Sequence, residues 1–455
     1  MATVTVTPSP IQLTAVGATA QLTATARSAE GDILAGRSFV WSSSNTSVAT
    51  VNESGVVSAV ANGSASISAS TSGVVGNASV EVSIPGSPVL VSAGFDHTCA
   101  VNAEGVAYCW GRNTLGQLGD GTTTSRSLPT AVQGNLRFRT ISAGQNLTCG
   151  VTIAGEGYCW GSSDRGQVGD GGLGNRTAPS RVVGVPTFSS IQAGRAHSCG
   201  LATTGIVYCW GWGSNGESGS GALVATQVAP DSVHGGRRFT ALAGAAHTIC
   251  AIATTGEPYC WGRNNTGQVG DGTTTCTSLS ASCFDERALP TRVVTGDSFA
   301  GIGANARIVN GFGGGTSCGV ATSSEGYCWG QNTNGQIGDG STGVRLVPTL
   351  VSGNHSWRSI AVGSATTCGV TTAGVGLCWG FNGTGSVGDG TTVHRLIPTA
   401  VTGGLTLSTI SVGYDHACAV TSIGDVYCWG ANPNGELGDG TTSGRAVPGR
   451  VDVPS

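Results

Sequence analysis

The chain runs to 455 residues, long enough for two or more domains. Only 10% of residues are charged and the net charge is −4, which excludes the basic field a nucleic-acid partner needs. No apolar run approaches the ~20 residues of a membrane-spanning helix, and all 21 basic residues are Arg.

Residues 1–87 alternate apolar and polar side chains with period two, as in Val4-Thr5-Val6, Gln21-Leu22-Thr23-Ala24 and Ala65-Ser66-Ile67-Ser68. Turn residues separate the runs at Pro8-Ser9-Pro10, Glu30-Gly31-Asp32, Asn52-Glu53-Ser54-Gly55 and Ala61-Asn62-Gly63. Short strands with turns every ~8–12 residues predict a β-sandwich. Trp41 is its expected core anchor. Met1-Ala2-Thr3 enters the strand pattern without the basic and apolar segments of an export signal, so a mature or excised segment is expected. The run from Trp41 to Ser70, WSSSNTSVATVNESGVVSAVANGSASISAS, resembles the bacterial immunoglobulin-like domain, group 2. The resemblance implies a stalk or spacer of bacterial surface proteins, or in a sharper reading a ligand-binding module. The bridge Ile84-Pro85-Gly86-Ser87-Pro88 is short and stiffened by two prolines, so free hinging is not expected.

From residue 88 a unit of about 50 residues repeats. Its landmark is CAVNAEGVAYCW, Cys99 to Trp110, in which Cys99 and Cys109 lie ten positions apart around a turn at Gly105. The layout recurs at Cys149 and Cys159, Cys199 and Cys209, Cys250 and Cys260, Cys318 and Cys328, Cys368 and Cys378, and Cys418 and Cys428. Seven units of three or four short strands predict a propeller, because stacked blades bury both faces of small sheets. The expected fold class is all-β: a seven-bladed β-propeller over residues 88–455, preceded by an immunoglobulin-like β-sandwich over 1–87. A proline-led strand follows every hairpin, at Pro129, Pro179, Pro230, Pro290, Pro348, Pro398 and Pro448, but none precedes the first. The C-terminal strand is therefore expected to complete the first blade, closing the ring and removing an open edge.

Opposed residues of an antiparallel hairpin have a constant sum of positions. With Cys99 opposite Cys109, Ala100 faces Tyr108 and Thr98 faces Trp110, and opposed residues lie about 4.5–5.5 Å apart, within disulfide reach. The same register makes a disulfide of each of the other six pairs. Each bridge closes about eleven residues and contributes about 2–3 kcal/mol by restricting the unfolded chain. Cys276 and Cys283, in the inserted CTSLSASC, fall outside the register. They are expected to bond to each other, with free thiols or an intermolecular link as the alternatives. Regularly spaced Cys predict an oxidising compartment, secreted or on the cell surface. Their spacing is not that of a zinc site.

Three further motifs recur: Ser-Ala-Gly-x-x-His-Thr at Ser92 to Thr98, Tyr-Cys-Trp-Gly at Tyr108 to Gly111, and Asn-x-x-Gly-Gln-Leu-Gly at Asn113 to Gly119. Together they resemble the regulator of chromosome condensation propeller family across residues 88–455, with the Cys pairs a departure from its founding nuclear member. That family includes a nuclear exchange factor for a small GTPase and a secreted bacterial inhibitor of β-lactamases. An oxidising compartment argues against the first activity and leaves the second as an alternative. The resemblance also makes the repeated His97, His197, His247 and His416 part of the blade framework. Leu147, Thr316 and Thr366 replace them in other blades, which argues against a shared metal. Asp120, Asp170, Asp271, Asp339, Asp389 and Asp439 sit in Gly-Asp-Gly turns, one carboxylate each, where a calcium loop needs several. No nucleophile elbow or HExxH occurs. No catalytic, metal or cofactor site is expected.

Repeats allow framework to be separated from function: framework positions recur, while binding positions differ between blades. The residue after Trp-Gly reads Arg112, Ser162, Trp212, Arg263, Gln331, Phe381 and Ala431. The pair before the His position includes Phe95-Asp96, Arg195-Ala196 and Tyr414-Asp415. Hairpin geometry puts both sets at one end of the blades, opposite the bland turns near Gly105. Phe95, Asp96, Arg112, Trp212, Arg263, Phe381 and Tyr414 are therefore the candidate partner-binding residues, aromatic and Arg side chains being common interface anchors; drift in solvated loops is the competing reading. Unit five carries extra length at this end, Ile302 to Gly315, and unit three has Gly216-Glu217-Ser218-Gly219 in place of Gly-Gln-Leu-Gly. Asn-x-Ser/Thr occurs at Asn45, Asn52, Asn62, Asn77, Asn146, Asn175, Asn264, Asn354 and Asn382. The expected function is extracellular binding or adhesion toward a protein or glycan. A structural subunit that self-associates into a surface assembly, or an enzyme inhibitor, are the alternatives.

Overall fold

The computed structural model describes residues 2–15, 17–46, 48–60, 63–82, 88–244, 247–276, 284–309 and 312–454. Its regular elements are all strands. The chain divides into two compact units between Ser87 and Pro88. The bridge over 84–87 lies outside the described residues, and with it the expected stiffness.

In the first unit, Ile11–Leu13, Val74–Val82, Gly63–Thr71 and Val40–Ser43 form one sheet, and Thr19–Gln21, Val56–Ala59 and Ala49–Val51 form another. Thr3–Thr7 pairs with Thr23–Arg27. Period-two patterning sets the faces: along Val74–Val82 every second residue from Gly76 is buried. Leu22, Ala49, Val57, Ile67 and Val80 form the centre of the core. Trp41 is not its anchor. Small residues, Ala49, Ala69 and Ala78, fill the centre, and the indole packs half-buried at the margin. There it lies over Gly55, whose φ of +79° and missing Cβ make room for the ring.

The second unit is a seven-bladed propeller of four-stranded antiparallel sheets, each made from four consecutive strands. Blade one is Pro88–Ala93, His97–Asn102, Ala107–Gly111 and Arg126–Ala131, from axis to rim. The second strand of blade one is buried along its whole length because neighbouring blades cover both its faces. The fourth is half-exposed and carries the proline, Pro129 in blade one. Proline cannot donate to a ladder and is confined to an edge, which is why the proline-led strand forms the rim of the blade it follows.

This corrects the expected closure. The C-terminal strand Arg445–Val451 pairs with Val426–Gly430 of its own blade, and blade one is complete without it. The ring closes by packing. Val91, Ala100 and Trp110 of blade one share a core with Cys418, Val420, Val426, Leu437 and Val451 of blade seven. Thr98 Oγ1 meets His416 Nε2 at 2.9 Å and donates to the Glu436 carbonyl.

The repeated Trp bolts six of the seven blades to the one before, the exception being Trp160 of blade two, whose indole N–H has no hydrogen-bond partner among the described residues. Trp110, Trp210, Trp261, Trp329, Trp379 and Trp429 donate their indole N–H to the carbonyls of Glu436, Gln167, Glu217, Gln268, Gln336 and Ser386 at 2.8–3.1 Å. A positive-φ Gly two residues after each carbonyl lies on the ring. A Cβ at Gly438 would stand 2.7 Å from Trp110 Nε1, and one at Gly388 2.6 Å from Trp429 Nε1. Gly438→Ala and Gly388→Ala should therefore cost the same, about 2–4 kcal/mol from left-handed strain and overpacking. Urea titration of both variants checks this, and a much milder Gly438→Ala would show that the closing junction differs from the rest.

The hairpin register is as expected, with Cys99 opposite Cys109, Ala100 opposite Tyr108 and Thr98 opposite Trp110. All seven in-register pairs are disulfides. Cys99 is bonded to Cys109, Cys149 to Cys159, Cys199 to Cys209 and Cys250 to Cys260. In the last three blades Cys318 is bonded to Cys328, Cys368 to Cys378 and Cys418 to Cys428. Their Cα atoms are 4.0–4.1 Å apart, closer than the strand spacing alone suggested. Cys276 is also disulfide-bonded; Cys283 lies outside the described residues. In blade five the extra length extends the first two strands, Phe299–Val309 and Phe312–Ala321. Their pairing runs unbroken from Gly301↔Val320 to Val309↔Phe312.

Candidate binding face

The loops that follow the inner strands and those that follow Trp-Gly lie at one end of the propeller. The mouth of the axis opens there. A cavity of about 260 Å³ is lined by polar Ser92, Ser142, Gln192 and Ser411 together with apolar Leu242, Ile302, Ile360 and Val412. Phe95 and Gln145 stand at its rim. The serines are structural as well as polar. The inner strands are sheet edges, and Ser411, Ser92 and Ser142 Oγ accept the backbone N–H of Ala93, Ala143 and Ala193 in the next blade at 2.9–3.0 Å. The extended hairpin of blade five projects from this same end.

The candidate residues fall into groups. Phe95 of blade one and Tyr414 of blade seven stack with ring centroids 4.8 Å apart. Asp96 beside them holds Arg112 at 3.2 Å. Trp212 packs edge-on to the His247 ring at 5.7 Å, and Arg263 bonds through its backbone N–H to the His247 carbonyl. Phe381 stands apart from both groups, stacked on His394 at 4.9 Å. Arg263 is buried; the other six are half-buried, neither core nor freely solvated. Ala245 and Ala246, the equivalent pair in blade four, lie outside the described residues.

The repeated residues are spent on the framework. His97 Nε2 meets Thr148 Oγ1 of the next blade at 2.8 Å, and His416 makes the equivalent contact with Thr98. Burial lowers His97 to a pKa of about 3, and His197 and His416 to about 4. The turn aspartates cap their own loops: Asp120 Oδ1 accepts from Thr122 N and Oγ1 and from Asn113 Nδ2. Their other oxygens face arginines that the sequence reading passed over, in the pairs Asp120–Arg126, Asp170–Arg176, Asp271–Arg287, Asp339–Arg345, Asp389–Arg395 and Asp439–Arg445. Of the Asn-x-Ser/Thr sites, Asn264 and Asn382 are fully buried with both side-chain ends bonded, and so are closed to glycosylation in the folded chain.

The reading also missed Glu217 as a site residue, although its motif had stood out. Its buried carboxylate accepts from His247 Nδ1 at 2.7 Å and from Asn215. This is the acid–imidazole half of a catalytic triad, but His247 Nε2 faces Arg195 Nη1 at 3.2 Å rather than a hydroxyl.

Four-stranded blades around an axis, joined by Trp and carrying unlike residues at one end, define a repeat propeller. The Regulator of chromosome condensation (RCC1) repeat matches residues 104–151, 154–201, 326–370, 377–420 and 424–455. A second model of the same repeat matches 89–117, 188–217 and 408–436, and the Bacterial Ig-like domain (group 2) matches 1–82. The chain belongs to the RCC1 repeat family and carries a bacterial Ig-like domain at its N-terminus. Human WBSCR16 is similar in structure, with a TM-score of 0.64 at 18% identity over 75% of this chain and 89% of that one. Prp20p from Saccharomyces cerevisiae gives 0.61 at 20% identity over 72% and 80%. Yeast RCC1 (Prp20) in the structure with Kap60 gives 0.63 at 18% over 76% and 83%. At these identities the likeness is one of fold.

Proposed function

We propose that this protein is an extracellular binding protein of bacterial type. An immunoglobulin-like module over residues 1–87 carries a propeller over 88–455 that holds a protein partner at its variable face. The observation that carries this reading is the division of labour among the repeats. Residues that recur are engaged in contacts between blades, while aromatic and Arg residues that do not recur form two groups at one end of the blades, Phe95/Tyr414 and Trp212/Arg263, with Phe95 lining the axial cavity. Such side chains supply most of the energy of protein interfaces. A disulfide in every blade supports an oxidising compartment, and the Ig-like module supports a bacterial surface. The similar Prp20p structure describes binding to Gsp1p and histones, which favours a protein partner over a glycan.

The test is capture from a bacterial surface extract with three forms of the chain: wild type, Phe95→Ala/Trp212→Ala/Tyr414→Ala, and Ile153→Ala at the opposite end. A partner held by wild type and Ile153→Ala but lost by the triple variant, with melting unchanged, supports the reading. A panel of purified β-lactamases run beside it examines the inhibitor alternative. Equal retention by all three forms would refute this face.

A further inference from the structure

Blade three departs from the repeat at Glu217 and Ser218. Ser218 stands where the other blades bury an aliphatic residue such as Leu118 or Val269, and Glu217 precedes it with a side chain that water does not reach. Burial pushes the Glu217 carboxyl up, but the hydrogen bonds from His247 and Asn215 more than offset it and hold the group ionised. A guanidinium can only donate. His247 Nε2 therefore accepts from Arg195, and the ring proton sits on Nδ1, facing Glu217. Arg195 is held in place by an imidazole, not by a carboxylate.

Arg263 is the second cation. It is 7% exposed, and its Nε has no hydrogen-bond partner. Glu286 lies opposite it in the sheet and attracts it, yet among the described residues neither Arg263 nor Arg195 forms an ion pair. Arg195, half-buried, and Arg263, buried, thus stand near the enclosed Glu217 carboxylate, whose acceptor positions are taken by His247 and Asn215, and neither is bonded to it. Burial lowers the pKa of both and outweighs the attraction of Glu217, and at Arg263 also of Glu286, while the two cations lie near enough for Arg195 to repel Arg263. Trp212 packs against the same His247. Phe284, 63% exposed, lies 5.8 Å from the Arg263 guanidinium.

We propose that Arg195 and Arg263 form a receptor for an aspartate or glutamate side chain of a protein partner, with Trp212 and Phe284 as the apolar walls that exclude water around it. Glu217 and His247 are positioning residues that fix Arg195. The inference rests on the reading of this face as protein-binding and adds the chemistry of what is bound. Arginine suits the task because its fork matches a carboxylate in two parallel hydrogen bonds, which gain strength where water is excluded.

The experiment is display selection of random peptides against the oxidised full chain, followed by affinity measurement with Arg195→Gln, Arg263→Gln, Arg263→Lys and Phe95→Ala/Tyr414→Ala. Enriched peptides should share an Asp or Glu. Its change to Asn or Gln should weaken binding at least tenfold to wild type and have little effect on Arg263→Gln, so that the two changes are not additive. Arg263→Lys keeps the charge without the fork and should fall between. It also covers the case in which the Gln variant melts early. Peptides without an acidic residue, equal binding by the Arg variants, or no enriched peptide at all would overturn the receptor. Displacement of an acidic peptide by free glucuronate at comparable concentration would overturn the choice of a protein ligand. Binding lost in Phe95→Ala/Tyr414→Ala but indifferent to both arginines leaves the face standing and removes only this site; indifference to every variant removes both.

Discussion

Lowering the pH from 7 towards 4 is expected to destabilise the propeller by about 4 kcal/mol per pH unit across the steep part of the range, about 1.4 for each of three histidines. His97, His197 and His416 are fully buried, and their pKa values fall to about 3, 4 and 4. Burial is the main cause in each. His416 adds to it for His97, while for His197 the attraction of Glu217 opposes it. The unfolded chain takes up protons at these rings below its ordinary value of about 6.5, and the folded chain does not. Their contribution is therefore complete above pH ~6.5, is lost as the pH falls, and levels off below the folded values. The turn aspartates act in a lower window. Burial pushes Asp120 up, but hydrogen bonds from Thr122, Arg126 and Asn113 prevail and hold it below the ordinary carboxylate value, so its contribution disappears only in stronger acid. Urea midpoints at pH 7, 6, 5 and 4.5 read the slope. His97→Thr/His416→Thr copies the residue that Thr316 and Thr366 supply in other blades, and it should cut the slope by about two thirds. A flat profile between pH 6.5 and 4.5, or one unchanged in the double variant, contradicts the assignment.

Removal of one blade disulfide is expected to cost about 2–3 kcal/mol, the unfolded-chain entropy of an eleven-residue loop. Replacing Cys418 and Cys428 together by Ala tests it in blade seven, where the pair lies in the core shared with blade one. Replacing Cys199 and Cys209 of blade three as well should double the loss, because the two blades are not neighbours in the ring and distant changes add. Burial makes a separate kinetic prediction. The cysteines of the blade pairs are 0–1% exposed, so a reductant reaches them only when a blade opens. The rate of reduction by dithiothreitol should rise with concentration and then level off at the opening rate. A rate that stays proportional to reductant while the protein remains folded would show that the bridges are accessible in the native state.

The hairpins were legible because their geometry is local. Cys, Trp and Tyr at fixed offsets admit one register, and the structure has it. The allocation of the proline-led strands was not legible by counting, since a strand between two hairpins can belong to either. Only the rule that proline seeks an edge places Pro129 and Pro448 at the rims of the blades they follow. The Asp–Arg pairs lay in plain view at a spacing of six, as Asp120–Arg126 and Asp389–Arg395 show. Blade four hides the pattern by inserting residues between Asp271 and Arg287, and Ser220 breaks it in blade three. Glu217 and His247 meet across thirty positions and two blades, a contact no local spacing encodes. The variable end of the blades was legible because repeats supply their own comparison. Its division into a Phe95/Tyr414 group and a Trp212/Arg263 group was not, because it depends on which loops lean together.

Each blade is four consecutive strands, and the ring closes without exchanging one. The stretch of gene that encodes a blade is therefore also one complete sheet. An in-frame duplication or loss of about fifty codons inserts or removes a whole sheet, with its own rim, disulfide and Trp. A propeller closed by a shared strand would instead be left with two half-sheets at any ring opened there. Recombination between repeats can in this way change the circumference of the ring, and with it the spacing of the residues at its mouth, in one step and without passing through a broken blade.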